Sequence, residues 1–173
     1  MITTDRLVLK PWAKDQLEVF SRLHFDPVVM ADQGGPLTPS EAEVKLDRYI
    51  ANFDQHGFAR WCLETRTGEV IGYCGVMASR RPNHPLGDHE EIGWRLFPQH
   101  WGYGYATESA EAALDDVLAR TKINTIYAYT AQDNHRSQSV MHKLKLDRMP
   151  SLDFETEDPK MGVWKGLVWQ STR

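Results

Sequence analysis

The residues with the clearest chemical use form one run, Gln99-His100-Trp101-Gly102-Tyr103-Gly104-Tyr105-Ala106-Thr107. It follows a strand-like segment, Glu90 to Leu96. It precedes a helical pattern, Ala106 to Arg120, in which Ala106, Ala110, Ala113, Leu114, Val117 and Leu118 share one stripe. A strand feeding a glycine-bearing turn and then a helix is a device for holding an anion. The first-turn N–H groups have no intrahelical partners, and the helix dipole adds partial positive charge there. Gly102 and Gly104 carry no Cβ, so phosphate oxygens can approach the main chain. A nucleoside-triphosphatase loop is excluded, because Gly104-Tyr105-Ala106 stands where Gly-Lys-Ser/Thr is required. A dinucleotide fingerprint fails too: Thr107 replaces its third Gly, and Asn124 to Ala131 lacks the acidic residue it needs. Read alone, two glycines at this spacing also describe an ordinary tight turn.

The flanking sequence supplies elements able to position such a turn. Arg6 to Lys10 reads as a strand stopped by Pro11, and Asp15 to Leu23 as a helix ended by Asp26-Pro27. Gln33-Gly34-Gly35-Pro36 is a loop. Thr38-Pro39-Ser40-Glu41 is a capping box that starts a second helix, with Ala42, Leu46, Tyr49, Ile50 and Phe53 on its apolar face and an end near His56-Gly57. Phe58 to Thr65 and Val70 to Ala78 form a hairpin about Thr67-Gly68, and Arg80 to His89 is a loop. After the helix at Ala106, Asn124 to Ala131 is a strand and Asn134 to Leu144 a helix with Asn134 as its N-cap. Leu152 to Trp169 reads as two strands broken near Asp158-Pro159. There is no repeat or linker, so residues 1–173 form a single α/β (α+β) domain.

Composition narrows the function classes. A chain of 173 residues, 41% hydrophobic and 25% charged, has the make-up of one globular domain. A net charge of -4 without a Lys/Arg run gives no pull toward nucleic acid. No apolar run approaches the roughly 20 residues of a membrane span, and MITTDRLVLKPW reads as a first strand rather than a leader, which places the chain in the cytoplasm. The seven histidines form no metal-ligand pattern. Cys62 and Cys74 also lack metal-ligand spacing. They fall on neighbouring strands, where a disulfide is conceivable; two buried thiols in a reducing compartment is the preferred reading. Most of Trp61, Trp94, Trp101, Trp164 and Trp169 are expected in the core.

Wider context gives the turn a specific meaning. Glu91-Ile92-Gly93-Trp94-Arg95-Leu96, then Phe97-Pro98, then Gln99 through Glu108 resembles motif A of the GNAT N-acetyltransferase superfamily, whose pattern is Q/R-x-x-G-x-G/A after a strand. Trp101-Gly102-Tyr103-Gly104-Tyr105-Ala106-Thr107-Glu108 looks like the branch that contains the ribosomal-protein N-terminal acetyltransferases. Asn134-His135-Arg136-Ser137, continuing to Leu144, is similar to that branch's Asn-x-x-Ser helix, and Thr4 to Leu9 with Pro11-Trp12 to its first strand. The resemblance covers nearly the whole chain. It implies a mixed, mostly antiparallel seven-stranded sheet, splayed between the fourth and fifth strands and flanked by about four helices.

The resemblance also implies an acetyl-CoA-dependent N-acetyltransferase. Its pyrophosphate would lie on Gln99, His100, Trp101, Gly102, Tyr103 and Gly104, with Tyr105, Ala106 and Thr107 opening the helix. Its pantetheine arm would lie along the splayed edge at Trp94, Arg95, Leu96 and Phe97, which Pro98 ends, and Asn134 and Ser137 would face its thiol. An amine attacks the thioester directly, and a main-chain N–H near Leu96 answers the oxyanion. Glu91 is the first candidate base and Glu90 the second; both also fit as solvated strand-end carboxylates. Met141 stands where many members place an acidic Tyr. Ser137 is the alternative proton donor, unless its hydroxyl only caps the helix. Lys145 replaces a customary Gly, which implies an altered turn into the last strands.

The acceptor would be a small-molecule amine or a protein N-terminal α-amine, bound by the loops Phe25 to Pro36, Arg80 to His89 (with His84 and His89) and Ser151 to Met161. Asp153, Glu155, Glu157 and Asp158 in the last would suit a cationic acceptor, although a solvated charged loop is the preferred reading. No membrane or nucleic-acid partner is expected, and the chain is read as a monomer or homodimer. The alternative is a catalytically weak acyl-CoA-binding sensor or scaffold, which Met141 favours.

Overall fold

The computed structural model describes residues 1–158 and 160–172. β1 (Ile2–Thr3) and β2 (Leu7–Lys10) are followed by α1 (Leu17–Phe25) and α2 (Pro39–His56). β3 (Arg60–Thr65), β4 (Val70–Ser79) and β5 (His89–Leu96) lead into α3 (Tyr105–Arg120), β6 (Thr125–Ala131) and α4 (His135–Lys143). β7 (Asp147–Arg148), β8 (Phe154–Asp158) and β9 (Gly162–Thr172) complete the chain. The break expected at Asp158-Pro159 includes Pro159, which lies outside the described residues. No helix of the described residues is long and apolar enough to cross a membrane.

The described strands form one sheet in the order β1-β2-β3-β4-β5-β6-β9-β7, with β8 also on β9. Among the described strands only β5 and β6 pair in parallel. The sheet has nine strands rather than seven because β1 and β7 contribute two residues each, too short for any period to register in sequence. Helices cover both faces. Val117, Ala113 and Ala110 of α3 pack with Ile126, Val76 and Leu7 on one face, and Phe20 of α1 and Leu46 of α2 pack with Cys62 and Tyr73 on the other.

Local chemistry explains the element ends. Thr38 Oγ1 accepts from the Glu41 N–H at 3.3 Å while Glu41 Oε2 accepts from the Thr38 N–H at 2.6 Å, the reciprocal capping box that starts α2. Lys145 does not alter the turn after α4. It takes the left-handed conformation itself, with φ 57°. The Leu146 N–H donates to Met141 O at 3.1 Å and the Lys145 N–H to His142 O at 3.0 Å, the double closure of a Schellman cap. Cys62 and Cys74 are free and buried. Cys62 opposes Tyr73, not Cys74, so the two thiols sit on opposite faces of the sheet in separate clusters and cannot bridge.

The feature that makes a site is an opening in the sheet. β5 and β6 share a single registered pair, Glu91 with Tyr127. Beyond it Trp94 to Leu96 runs on paired only with β4, and Tyr129 to Ala131 only with β9.

Candidate active site

The glycine turn lies at the mouth of that opening. Gly102 and Gly104 have φ of 83° and 82°, in the left-handed region where a Cβ is strained. Gly104 is the N-cap of α3 and offers no capping side chain. The Trp101 N–H is used by Pro98 O and the Glu108 N–H by Gly104 O. Between them, the N–H groups from Gly102 to Thr107 have no acceptor among the described residues. Such a row of free main-chain donors at a helix start is a cradle for phosphate oxygens. Arg6 braces it: its Nη1 donates to Tyr103 O at 2.9 Å and its Nε to Glu108 Oε2 at 2.6 Å. On the other side Arg136 of α4 lies over the Trp101 ring at 4.3 Å.

The edge of β5 continues from this turn. The Phe97 N–H donates to Ile71 O at 3.0 Å, toward β4. Alternation along an antiparallel ladder then turns the main-chain groups of Leu96 and Trp94 the other way, into the opening. Trp101 Nε1 donates to Leu96 O at 2.8 Å, which leaves the Leu96 N–H and both main-chain groups of Trp94 there. A cavity of about 940 Å³ follows this edge, walled by Trp94, Leu96, Trp101, Gly104 and Ala106 and across from them by Asn134, Ser137 and Val140 of the α4 segment.

A second cavity of about 780 Å³ lies between α2, β4, β5 and the segment from Arg80 to Pro85. Glu91 faces it. Arg60 Nη2 donates to Glu91 Oε1 at 3.0 Å and Arg81 Nη2 to Oε2 at 3.2 Å, with His89 Nε2 3.7 Å from Oε2. Burial alone would raise this carboxyl, but the His89 contact and the Arg60 and Arg81 charges outweigh it and hold it near about 2. Arg60 reaches it from β3 across β4, and Gly93 leaves the room: a Cβ there would lie 2.9 Å from Arg60 Cζ. Glu90 points to the opposite face, paired with Arg80 at 2.5 Å, and does not line the cavity. Tyr73 lines it too, accepting from Arg95 Nε at 3.3 Å. Burial would raise this phenol, but Lys45 and Arg95 act more strongly and bring it below its usual value.

The two cavities share one wall, made by Asp32, Trp94, Arg95, Ala131, Ser137 and Trp164 with Met161. Arg95 Nη1 donates to Asp32 Oδ1 at 2.9 Å and Asn134 Nδ2 to Asp32 Oδ2 at 3.2 Å, so one carboxylate ties β5 to the start of α4 across the opening. Asn134 Oδ1 accepts from the Ser137 N–H at 3.1 Å. The Ser137 hydroxyl itself has no hydrogen-bond partner among the described residues, so it does not fold back onto its helix. Met141 is buried in the α3-side core and presents its edge to the second cavity.

Residues 6–147 match the family model for the acetyltransferase (GNAT) domain. The chain belongs to the GNAT acetyltransferase family. It is 30% identical over 145 residues to the uncharacterized protein YkkB of Bacillus subtilis, covering 83% of each chain. It is 27% identical over 172 residues to the FsC-acetyl coenzyme A-N(2)-transacetylase of Aspergillus fumigatus, covering 95% of this chain and 72% of that one. An acetyltransferase from Agrobacterium tumefaciens superposes with a TM-score of 0.82 at 25% identity, covering 99% of this chain and 94% of that one. The protein is an acetyl-CoA-dependent N-acetyltransferase, with acetyl-CoA as donor.

Of the residues expected to bind the donor, the first cavity gathers Trp94, Arg95, Leu96, His100, Trp101, Gly102, Gly104, Tyr105, Ala106, Thr107, Asn134 and Ser137. Phe97, Gln99 and Tyr103 lie off its wall: Phe97 is buried against the α1 and α2 side and Tyr103 is 62% exposed. Trp61 and Trp169 are core, whereas Trp94, Trp101 and Trp164 line the cavities, against the expectation of a mostly buried set. All three segments expected to bind the acceptor reach the second cavity, the first through Asp32 and the last through Phe154, Thr156 and Met161 rather than through Asp153, Glu155 or Glu157; the Asp158 side chain lies outside the described residues. Asp153 is bound to Arg148 at 2.6 Å, and Glu155 and Glu157 are exposed on β8. Asp32, Arg60, Gly93, Tyr73, Lys45 and Arg48 were not singled out from sequence. A lone Arg in the apolar run Phe58 to Leu63 is the one signal that pointed to any of them.

Proposed function

We propose that the chain acetylates the primary amine of a small molecule by direct attack on the thioester where the two cavities share a wall. That shared wall carries the reading, because an amine in one cavity and a thioester in the other would meet there with no carrier between them. The main-chain N–H groups of Gly102 to Thr107 would hold the pyrophosphate, with Arg136 beside them. Trp94 would bond the pantetheine amides as an added strand would, and the Leu96 N–H would answer the developing oxyanion. Ser137, its hydroxyl free and its main chain fixed by Asn134, would donate to the departing thiolate.

Two groups that line the second cavity, Glu91 and Tyr73, would handle the amine's proton. Glu91 is too acidic to hold it: a carboxyl near about 2 is a weak base toward an ammonium, so Glu91 would orient the amine or a water that carries the proton away. Tyr73, with its phenol brought below the usual value, is the better-matched acceptor. The two buried, unpaired thiols support a reducing, cytoplasmic setting. The likeness of the segments 101–108 and 134–144 to the ribosomal branch supports a protein N-terminus as a second acceptor reading.

The test is CoA release over a broad panel of amines and N-terminal peptides. Ser137→Ala should lower kcat with little change in the KM for acetyl-CoA. Tyr73→Phe should move the basic-side pH profile, whereas Glu91→Gln should lower kcat/KM for the amine without moving it. Tight acetyl-CoA binding with no turnover on any amine would overturn catalysis and leave a donor-binding sensor.

A further inference from the structure

The acceptor cavity has a charge opposite to that of the chain. The chain carries a net -4, yet six cationic side chains line this cavity (Lys45, Arg48, Arg60, Arg80, Arg81 and Arg95) against two carboxylates, Asp32 and Glu91. Both carboxylates are already committed, Asp32 to Arg95 and Glu91 to Arg60 and Arg81. Arg80 is engaged by Glu90. His84, also on the wall, adds no charge near neutrality, because burial and then Arg81 lower it to about 4.

Two cations have no carboxylate partner among the described residues. Lys45 and Arg48 stand one helical turn apart on α2, and neither has a carboxylate within 4 Å among the described residues. Lys45 is half-buried: burial lowers it, Tyr73 acts on it attractively, and Arg95, Arg48 and Arg60 act repulsively. A half-buried ammonium among guanidinium groups is costly in an unliganded protein. Its arrangement makes sense when an anion arrives to join it. The lining mixes aromatic and apolar groups (Tyr49, Tyr73, Met77, Tyr129, Phe154 and Trp164) with neutral polar ones such as Asn52, Gln55 and Ser79, so a charge-assisted bond from half-buried Lys45 would be partly shielded from bulk water, while Arg48 is exposed. A polycationic amine would instead meet Lys45 and Arg48 as repulsion.

We propose that the acceptor is a small amine that also carries a carboxylate or phosphate, and that Lys45 and Arg48 bind this anionic group while the amine points to the wall at Asp32, Arg95 and Ser137. The proposal rests on the acetyl-transfer reading above and names the substrate class of that same site.

The test uses matched pairs of acceptors at saturating acetyl-CoA: β-alanine against β-alaninamide, phosphoethanolamine against ethanolamine, and putrescine as a cationic control. The anionic member of at least one pair should show a kcat/KM at least tenfold above its neutral partner, and which pair responds separates carboxylate from phosphate. Arg48→Gln should erase that advantage through KM, with turnover of the neutral amines kept; Lys45→Met should erase it too, while also moving the basic-side pH profile because Lys45 lowers the Tyr73 phenol. Faster turnover of the neutral or cationic member in both pairs would overturn the proposal and leave acetyl transfer standing. So would turnover confined to peptide N-termini whatever their charge. Binding is read separately, as the melting shift that β-alanine and phosphoethanolamine give the CoA-loaded protein. A shift present in the wild type and lost in Lys45→Met supports the anion site even if no amine turns over. Equal shifts in both proteins, or none in either, overturn it.

Discussion

Arg60 on β3 and Glu91 on β5 form an ion pair at 3.0 Å across the strand between them, and the space they use is the missing side chain of Gly93. Arg60 also donates from Nη1 to the main-chain oxygens of Gly75 and Glu91, so the guanidinium is fixed by the sheet before it touches the carboxylate. Gly93→Ala should therefore act at a distance. Its Cβ would lie 2.9 Å from both Arg60 Cζ and Nη2, forcing out a nearly buried side chain. A loss of about 1–3 kcal/mol in urea unfolding is expected, with a fall in kcat/KM for the amine and an unchanged KM for acetyl-CoA. Wild-type stability in Gly93→Ala would show that the pair has slack.

Acid should unfold the protein in two stages. His24 is fully buried, its Nδ1–H donating to Phe20 O at 2.8 Å, and burial followed by Lys45 lowers it from 6.5 to about 3. The unfolded chain thus takes up a proton that the folded one refuses, and stability falls as pH drops below 6.5 by about 1.4 kcal/mol per unit. Glu91 adds its share lower down: its stabilisation is present above 4.5 and is lost as pH falls toward about 2. Melting temperature against pH should show the first limb flattened in His24→Phe and the second in Glu91→Gln.

Lys145 holds a left-handed conformation that its Cβ disfavours, and it is exposed. Lys145→Gly should stabilise by about 1 kcal/mol, raising the melting temperature by roughly 2–4 °C. A drop on substitution would mean that its side chain contributes more than the strain costs.

Gly102→Ala and Gly104→Ala should each raise the KM for acetyl-CoA about tenfold or more, because both residues sit at φ above 80° and their N–H groups belong to the anion cradle. The melting shift given by CoA should shrink in parallel. An unchanged shift would place the pyrophosphate elsewhere.

What was legible in the sequence was local. The capping box at Thr38, the stripe on α3 and the glycine turn each depend on residues within a few positions of one another, so their spacing reports them directly. The acceptor side depends on partners far apart in the chain. Glu91 and Glu90 are neighbours with identical side chains, and only strand alternation sends one to the cavity and the other to Arg80. Arg60 meets a carboxylate 31 positions away, and Arg95 one 63 positions away. Lys45 and Arg48 occupy the polar flank of α2, which reads as a solvated surface until the cavity beside it is known. The acids near Asp153 read as a solvated loop, and Glu155 and Glu157 are exposed; Asp153 instead pairs with Arg148 five positions before it, on β7 where that strand joins β9.

The single registered pair between β5 and β6 has a consequence for behaviour in solution. Past Glu91 and Tyr127, two strand edges face each other inside the sheet without bonding, the same template through which unrelated chains stick together. Pro98 and the indole of Trp101 on Leu96 O blunt one end of it. The donor's pantetheine would cover the rest. Acetyl-CoA is then also a solubilising partner: a preparation stripped of it should scatter light sooner on heating or concentration than one kept saturated, at equal folded content.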